Sequence, residues 1–356
     1  MRINLKKSFF GETEFVLAEN PRIGMRAVAF RYSTGVEAVR IENTKGSFTI
    51  LPFQGQQIWR AEFLGKELGM RTFFEEPVPT KELLKTYGCF FMHCGIEAFG
   101  SPGEGDKHPQ HGELPNADYR EAYIECGDDY MAVGGSFKYD VSFTRNYTFA
   151  PECRLYADAT RLVFNMELEN RRNSPMEYMY LAHINFRPID GAELVYSGDY
   201  GSVRPYQKVE NPQTEEEKKL YDYLKLIEKD PTVHHRVGAE GQCYNPEICF
   251  NVKYKGDENN RAYTLQYTKD GANFVDHPVD VLPEAIRWIS RTGDEDSMGM
   301  VLPATAEHLG YSYAKKNGQI KVLGPKEKLC FTIEAGVLNT VDAETMKAKI
   351  EKMNNI

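Results

Sequence analysis

From position 137 apolar side chains recur on alternate residues, at Phe137, Tyr139, Val141, Phe143, Tyr147 and Phe149, with Lys138, Asp140, Ser142 and Thr144 between them. A period of two over that length predicts one long β-strand with a single buried face. Leu162, Phe164, Met166 and Leu168 repeat the pattern before Asn170-Arg-Arg-Asn-Ser-Pro175 breaks it as a turn. Further strands are expected over 26–32, 36–43, 47–51, 177–186, 262–268 and 329–337. So many strands in succession across short turns make antiparallel β the expected class. Three segments read as helices instead. Thr214 to Glu217 forms a capping box followed by Leu220, Leu224 and Ile227 on one stripe, 79–87 is a shorter candidate, and the chain ends in a helix from Asp342 carrying Met346, Ile350 and Met353. No regular βα alternation is present, so a Rossmann or TIM arrangement is not expected. The reading is an all-β protein in one domain over 1–356, with N-terminal strands in 1–45, a surface helix inserted at 213–229 and a C-terminal helix at 342–356.

The 356 residues carry 43 Lys+Arg against 52 Asp+Glu, a net charge of −9, with no basic block. Binding to nucleic acid needs clustered cations, so that class of partner is excluded. No apolar run approaches the ~20 residues of a membrane helix. Met1 to Leu17 interleaves Lys6, Lys7, Glu12 and Glu14, unlike a signal peptide. Seven cysteines without a C-x-x-C pair argue against a disulfide framework and a zinc ribbon. A cytoplasmic protein is the expectation.

The chemistry-bearing residues fall in three places. Three of eight histidines, His93, His108 and His111, lie with Glu97 in a Gly- and Pro-rich stretch over 91–116. Long irregular loops are often functional, and histidine exchanges protons near neutral pH. A plain surface loop is the alternative, and a metal site from His93, Glu97, His108 and His111 is a third reading, although the spacing matches no compact metal signature. Next, His183 and Asn185 share one face of a strand with Met179 and Leu181, as if that face changed from core to pocket. A hydrogen-bonded core histidine would leave the same trace. Last, Arg287-Trp288 offers a flat apolar platform beside a fork of donors, which suits a sugar, although a packed core tryptophan is equally common.

Four segments in order resemble the aldose 1-epimerase (galactose mutarotase-like) superfamily, and within it a poorly characterised aldose-epimerase-like branch. They are Leu51-Pro-Phe-Gln-Gly-Gln-Gln-Ile58 with Gly65-Lys; Cys94-Gly-Ile-Glu97 leading to His111-Gly; Leu168-Glu-Asn170 leading to His183-Ile-Asn-Phe186; and Gly299 to Thr305 with Leu323-Gly-Pro-Lys-Glu327. The resemblance implies a β-supersandwich whose open face binds a sugar ring, and interconversion of sugar anomers without a cofactor. It implies that His183 is the general acid and that His111 contacts the sugar near its ring oxygen. Asn185, Arg287, Trp288, Glu247, His93 and Glu97 are the expected substrate contacts.

The pattern departs from the family in two places: the substrate-binding arginine of a Gly-Arg motif is absent near 93–111, where Arg287 is the replacement candidate, and the general base is missing. The general-base glutamate corresponds to Leu302, before Pro303, and leucine accepts no proton. Glu307 takes the role only if the chain bends after Pro303, because 302 and 307 have opposite strand parity; Glu247 and Glu97 are the other carboxylate candidates. Three functions stay open: an anomer-exchanging isomerase, a metal-dependent sugar epimerase, isomerase or lyase using His93, His108, His111 or His308, and a non-catalytic sugar-binding protein. The expected partner is a small sugar; oligomeric state is not legible.

Overall fold

The computed structural model describes residues 1–355. Two antiparallel sheets are stacked face to face. One has nine strands, running from Arg2–Asn4 at one edge through Tyr130–Val141, Arg145–Tyr156, Arg161–Asn170 and Lys328–Leu338 to Glu193–Tyr196 at the other. The second has thirteen, and its middle follows the spatial order Ile248–Asn251, Glu284–Arg291, Asp296–Ala304, Met176–Ile184, Phe91–Ile96, Ile58–Phe63. Apolar residues of both inner faces meet in one core: Phe91 stacks on Phe164 at 4.0 Å between ring centroids, and Tyr180 meets Phe331 edge-on at 5.1 Å. The all-β expectation holds, with the strands in two large antiparallel sheets.

The single long strand expected over 137–149 is a hairpin. Tyr130–Val141 turns back through Ser142-Phe143-Thr144 into Arg145–Tyr156, with Phe137 opposite Phe149 and Tyr139 opposite Tyr147. A three-residue loop returns the chain with its parity unchanged, so odd positions stay on the inner face across the turn and the alternation reads as if the strand were straight. Phe143 sits at the loop tip, 99% exposed and with φ of +67°, rather than in the core.

The capping box is present: Thr214 accepts from the Glu217 amide at 3.1 Å and Glu217 accepts from the Thr214 amide at 3.2 Å, opening the helix Glu215–Lys229. That helix buries Leu220, Tyr223, Leu224 and Ile227, so it is a structural wall as well as a solvated face. The C-terminal helix spans Thr340–Asn354, capped by Asn339, and buries Ala343 and Ile350. The 79–87 stretch holds only the short 3-10 turn Leu83–Lys85, and a helix at Gly310–Lys316 was not foreseen because it carries no apolar stripe of its own. Among the described residues no helix is long and apolar enough to cross a membrane.

Asn170, fully buried, ends its strand by donating to the carbonyls of Ser174, Leu323 and Gly324 at 2.9, 3.1 and 2.8 Å and accepting from the Arg172 amide at 3.0 Å. It ties the 171–175 turn to the loop before Lys328–Leu338. Asn170→Ala strands these buried groups and should cost roughly 2–4 kcal/mol, read as a lower denaturant midpoint. Asn170→Asp should be worse, because it aims an acceptor-only carboxylate at three carbonyls.

Candidate functional site

Strand Met176–Ile184 is buried on both faces. Tyr180, Ala182 and Ile184 enter the core between the sheets, while Met179 and Leu181 pack into a second apolar cluster on the far side with Met92, Cys94, Ile286 and Leu302. By the same parity His183 emerges beyond Leu181 on that far side, where a hollow of about 180 Å³ opens. Leu181, His183, Cys249, Ile286, Trp288 and Leu302 form its floor, and Tyr87, His111, Gln207, Glu247 and His308 stand on its walls. The volume lies below the ~300–1,000 Å³ of typical drug-sized sites, so the hollow suits one small molecule.

The rings are set close together. His183 stands edge to face with His111 at 5.1 Å, with Trp288 at 5.4 Å and with Tyr87 at 5.8 Å between centroids. Its protonation pattern follows from its neighbours. The Asn185 amide donates to the Cys89 carbonyl at 3.0 Å, which turns the Asn185 Oδ1 toward the imidazole, and His183 Nδ1–H donates to it at 2.7 Å. The lone pair is therefore on Nε2, which accepts from the Tyr87 hydroxyl at 3.2 Å. Opposite, Trp288 Nε1 donates to Glu247 Oε2 at 2.6 Å, and Glu247 is the one carboxylate among the residues lining the hollow.

Two loops bring in the other imidazoles. His111 has φ of +61°; its amide donates to the Gly100 carbonyl at 3.0 Å and its carbonyl accepts from the Gly95 amide at 3.0 Å. Gly100, at φ +80°, lies so near the His308 carbonyl that a Cβ would approach within 1.9 Å of it. Only glycine lets the His111 and His308 loops meet there. The Nδ1 atoms of His111 and His308 are both shut off from solvent and without a protein partner.

Burial holds these imidazoles neutral. It pushes His183 down to about 4, against the opposing hydrogen bond to Asn185, and His308 down to about 4. His111 falls well below 6.5 through burial and the neighbouring His183 and His308. Burial raises the Tyr87 hydroxyl well above 10, so it is a hydrogen-bond donor.

Several expected site residues lie elsewhere. Arg287 precedes Trp288 on one strand, so its side chain leaves on the opposite face; it is wholly buried, donating from Nε to the Met300 carbonyl at 2.9 Å. Glu307 likewise points away from His308, and its carboxylate accepts from Arg204 at 2.9 Å, Tyr206 at 2.7 Å and Tyr313 at 3.2 Å. His93 faces the inter-sheet core, Nδ1 at 2.8 Å from the Tyr180 hydroxyl and its ring against Phe91 and Phe149. Glu97 accepts from Tyr139 at 3.1 Å and pairs with Arg145 at 2.8 Å, outside the hollow. His108 Nδ1 donates to the Pro109 carbonyl at 2.8 Å. The alternative metal set His93, His108 and His111 is thus split among the core, a loop and the hollow, and among the described residues no group of three potential ligands converges. Asn185 stands behind His183 rather than in the hollow, while Glu247 and Trp288 line it. Tyr87 and Gln207 were not foreseen: Tyr87 closes the stretch expected to be a short helix, and Gln207 is a single polar residue with no pattern around it.

The fold is the one seen in galactose mutarotase-like proteins. A solved protein from Klebsiella pneumoniae, provisionally named an aldose 1-epimerase, superposes with a TM-score of 0.79 at 18% identity, covering 96% of this chain and 92% of that one. A galactose mutarotase-like protein from Clostridium acetobutylicum gives 0.57 at 13% identity over 89% and 99% of the two chains. Another from Lactobacillus casei gives 0.53 at 14% over 85% and 100%. The chain belongs to the family described as a domain of unknown function, DUF4432, whose model matches residues 33–337. No curated protein matches the chain by sequence.

Seven of the eight histidines have pKa values pushed below 6.5, chiefly by burial, among them His93, His235 and His277 to about 3. Below that value the unfolded chain binds protons that the folded chain refuses. Stability is therefore complete above pH 6.5 and lost as pH falls toward 4. The melting temperature should drop by about 5–10 °C between pH 7 and pH 5. His93→Gln, which keeps a partner for Tyr180, should lessen the drop, and an unchanged melting temperature would contradict neutral buried imidazoles.

Proposed function

We propose that the chain is an isomerase that binds one free sugar ring in the hollow and interconverts its anomers by proton transfer through His183. The observation that carries the reading is the His183 Nε2 lone pair at the wall of the hollow, aligned by the chain Cys89 carbonyl–Asn185–His183 and met there by the Tyr87 hydroxyl, which the anomeric hydroxyl displaces. Nε2 takes the proton of the anomeric hydroxyl as its oxygen forms the carbonyl bond to C1. The bond from C1 to the ring oxygen breaks with its electron pair on that oxygen, which then receives the proton back from the imidazolium. Both oxygens are bonded to C1, so one nitrogen serves both, and neither a proton nor an electron is left over. Rotation about C1–C2 and the reverse sequence yield the other anomer. In this scheme His183 accepts before it donates, and a carboxylate at position 302 is not required.

The other groups bind and orient. Trp288 and Tyr87 offer ring faces to the apolar side of a sugar. With Nδ1 shut away, neutral His111 and His308 each leave only Nε2 to meet a hydroxyl group, as donor or acceptor. Glu247, held by Trp288, accepts from a hydroxyl and stabilises the transient imidazolium.

Anomer exchange measured by NMR across a panel of free aldoses tests the reading. The protein should accelerate exchange of at least one sugar, and His183→Ala should lower that rate by ~10²–10⁴-fold. With His183 active in its neutral form, the rate should be level near neutrality and half lost near pH 4. A rate that instead falls as pH rises from 4 would restore His183 as a resting acid. Acceleration of no sugar, or an undiminished His183→Ala, removes the proposal. Leu302 on the floor favours one other reading, sugar binding without turnover, which saturable calorimetric binding with no exchange would support.

A further inference from the structure

Part of the floor of the hollow is a patch built from aliphatic side chains alone. Three adjacent strands each lend one: Leu181 from Met176–Ile184, Leu302 from Asp296–Ala304 and Ile286 from Glu284–Arg291. Ile286 stands directly opposite Leu302, and Leu181 stands opposite Ala304, two residues along from Leu302. The Leu302 side chain lies across Gly299, where a Cβ would come within 2.5 Å of its Cδ2, so the bare backbone at 299 gives Leu302 its place. All three are almost fully buried, and a hydroxyl set against them would lose its water and gain no partner.

The hydrogen-bonding groups stand on the walls instead, among them Glu247, Gln207, His111 and His308. None of the described residues lining the hollow is Lys or Arg, and Glu247 is the one carboxylate. A phosphorylated, sulfated or carboxylated sugar would find no counter-charge there. His183 fixes how an uncharged sugar stands. Its Nε2 meets the anomeric and ring oxygens, and Leu181 lies one pleat back on the same face, about 7 Å along the strand. Two positions of a pyranose flank that reacting end, C2 and the carbon attached to C5. Removing the C2 hydroxyl leaves a ring CH2 that does not reach out of the ring. A methyl group on C5 does reach out, and it fits a recess among three branched side chains, whereas a hydroxymethyl there buries its hydroxyl unpaired. The faces of Trp288 and Tyr87 already serve the flat side of the ring, which leaves the patch for a projecting group.

We infer, on the reading of the hollow as a sugar site, that it selects an uncharged 6-deoxyhexose whose methyl group sits on Leu181, Ile286 and Leu302. Leucine at 302 is then a specificity-determining residue as well as the loss of a carboxylate.

The test measures anomer exchange for pairs that differ only at C6: D-fucose with D-galactose, 6-deoxy-D-glucose with D-glucose, L-fucose with L-galactose, and L-rhamnose with L-mannose. In the preferred pair kcat/KM should be roughly 10–100-fold higher for the 6-deoxy sugar, and D-galacturonate should not be exchanged. Leu302→Met, apolar and of similar volume, should keep that ratio. Leu302→Gln, which offers the hydroxymethyl group a partner, should bring it toward parity; a folded variant with the ratio unchanged overturns the role of Leu302. If Leu302→Gln does not fold, the wild-type ratio and Leu302→Met still decide. Parent hexoses exchanged as fast as their 6-deoxy forms, or a preference for 2-deoxy-D-glucose over both, overturn the inference and leave anomer exchange standing. Exchange of no sugar removes the isomerase instead, and calorimetric titration of the same pairs then decides the inference alone. Binding of a 6-deoxy sugar about tenfold or more tighter than its parent supports the methyl seat; equal binding, or none, overturns it.

Discussion

The strand Met176–Ile184 has apolar matter on both sides, and the rest of the molecule is arranged around that fact. Its even residues hold the two sheets together through Tyr180, Ala182 and Ile184, and its odd residues begin a second layer with Met179 and Leu181. A strand covered twice has no freedom to slip, since a shift of one residue would exchange the two sets. His183 inherits that rigidity. Asn185, one pleat further, is fixed by the Cys89 carbonyl and fixes the imidazole in turn. A lone pair aimed at a cavity is thereby positioned by backbone pairing, before any loop is considered.

Loops then complete the hollow from far along the chain. Tyr87, His111, Glu247 and His308 arrive from four separate connections. Their convergence depends on close backbone approaches such as Gly100 against the His308 carbonyl. Placing neutral imidazoles in a desolvated pocket lowers stability in acid, because each refuses a proton that it would accept when unfolded. The same desolvation keeps the His183 lone pair unprotonated at neutral pH, so the stability cost and the proposed proton transfer have one physical cause.

Much of the fold was legible because alternation reports parity directly. The sheet strands, the Thr214 capping box, the Asn170 turn and the shared face of His183 and Asn185 all follow from local pattern. The hairpin at Phe143 was missed, since an odd-numbered loop leaves the alternation intact. Arg287 and Glu307 were misplaced although each is adjacent to a residue of the hollow: on its strand Arg287 leaves on the face opposite Trp288, and Glu307, in the loop after Asp296–Ala304, turns to Arg204, Tyr206 and Tyr313. His93 was grouped with His108 and His111 by nearness in sequence, although a buried strand carries it into the core.

The sequence by itself determined the antiparallel all-β class, the likeness to mutarotase-like proteins, and two of the residues at the hollow's centre, His183 and His111. These follow from short-range pattern and ordered motifs, which the chain carries in one dimension. Only the tertiary structure decided that Glu247 rather than Glu307 is the carboxylate at the hollow, that Tyr87 faces His183, and that Arg287 lies in the interior. Each of those depends on how loops distant in sequence close over a sheet, and on packing that no local period encodes.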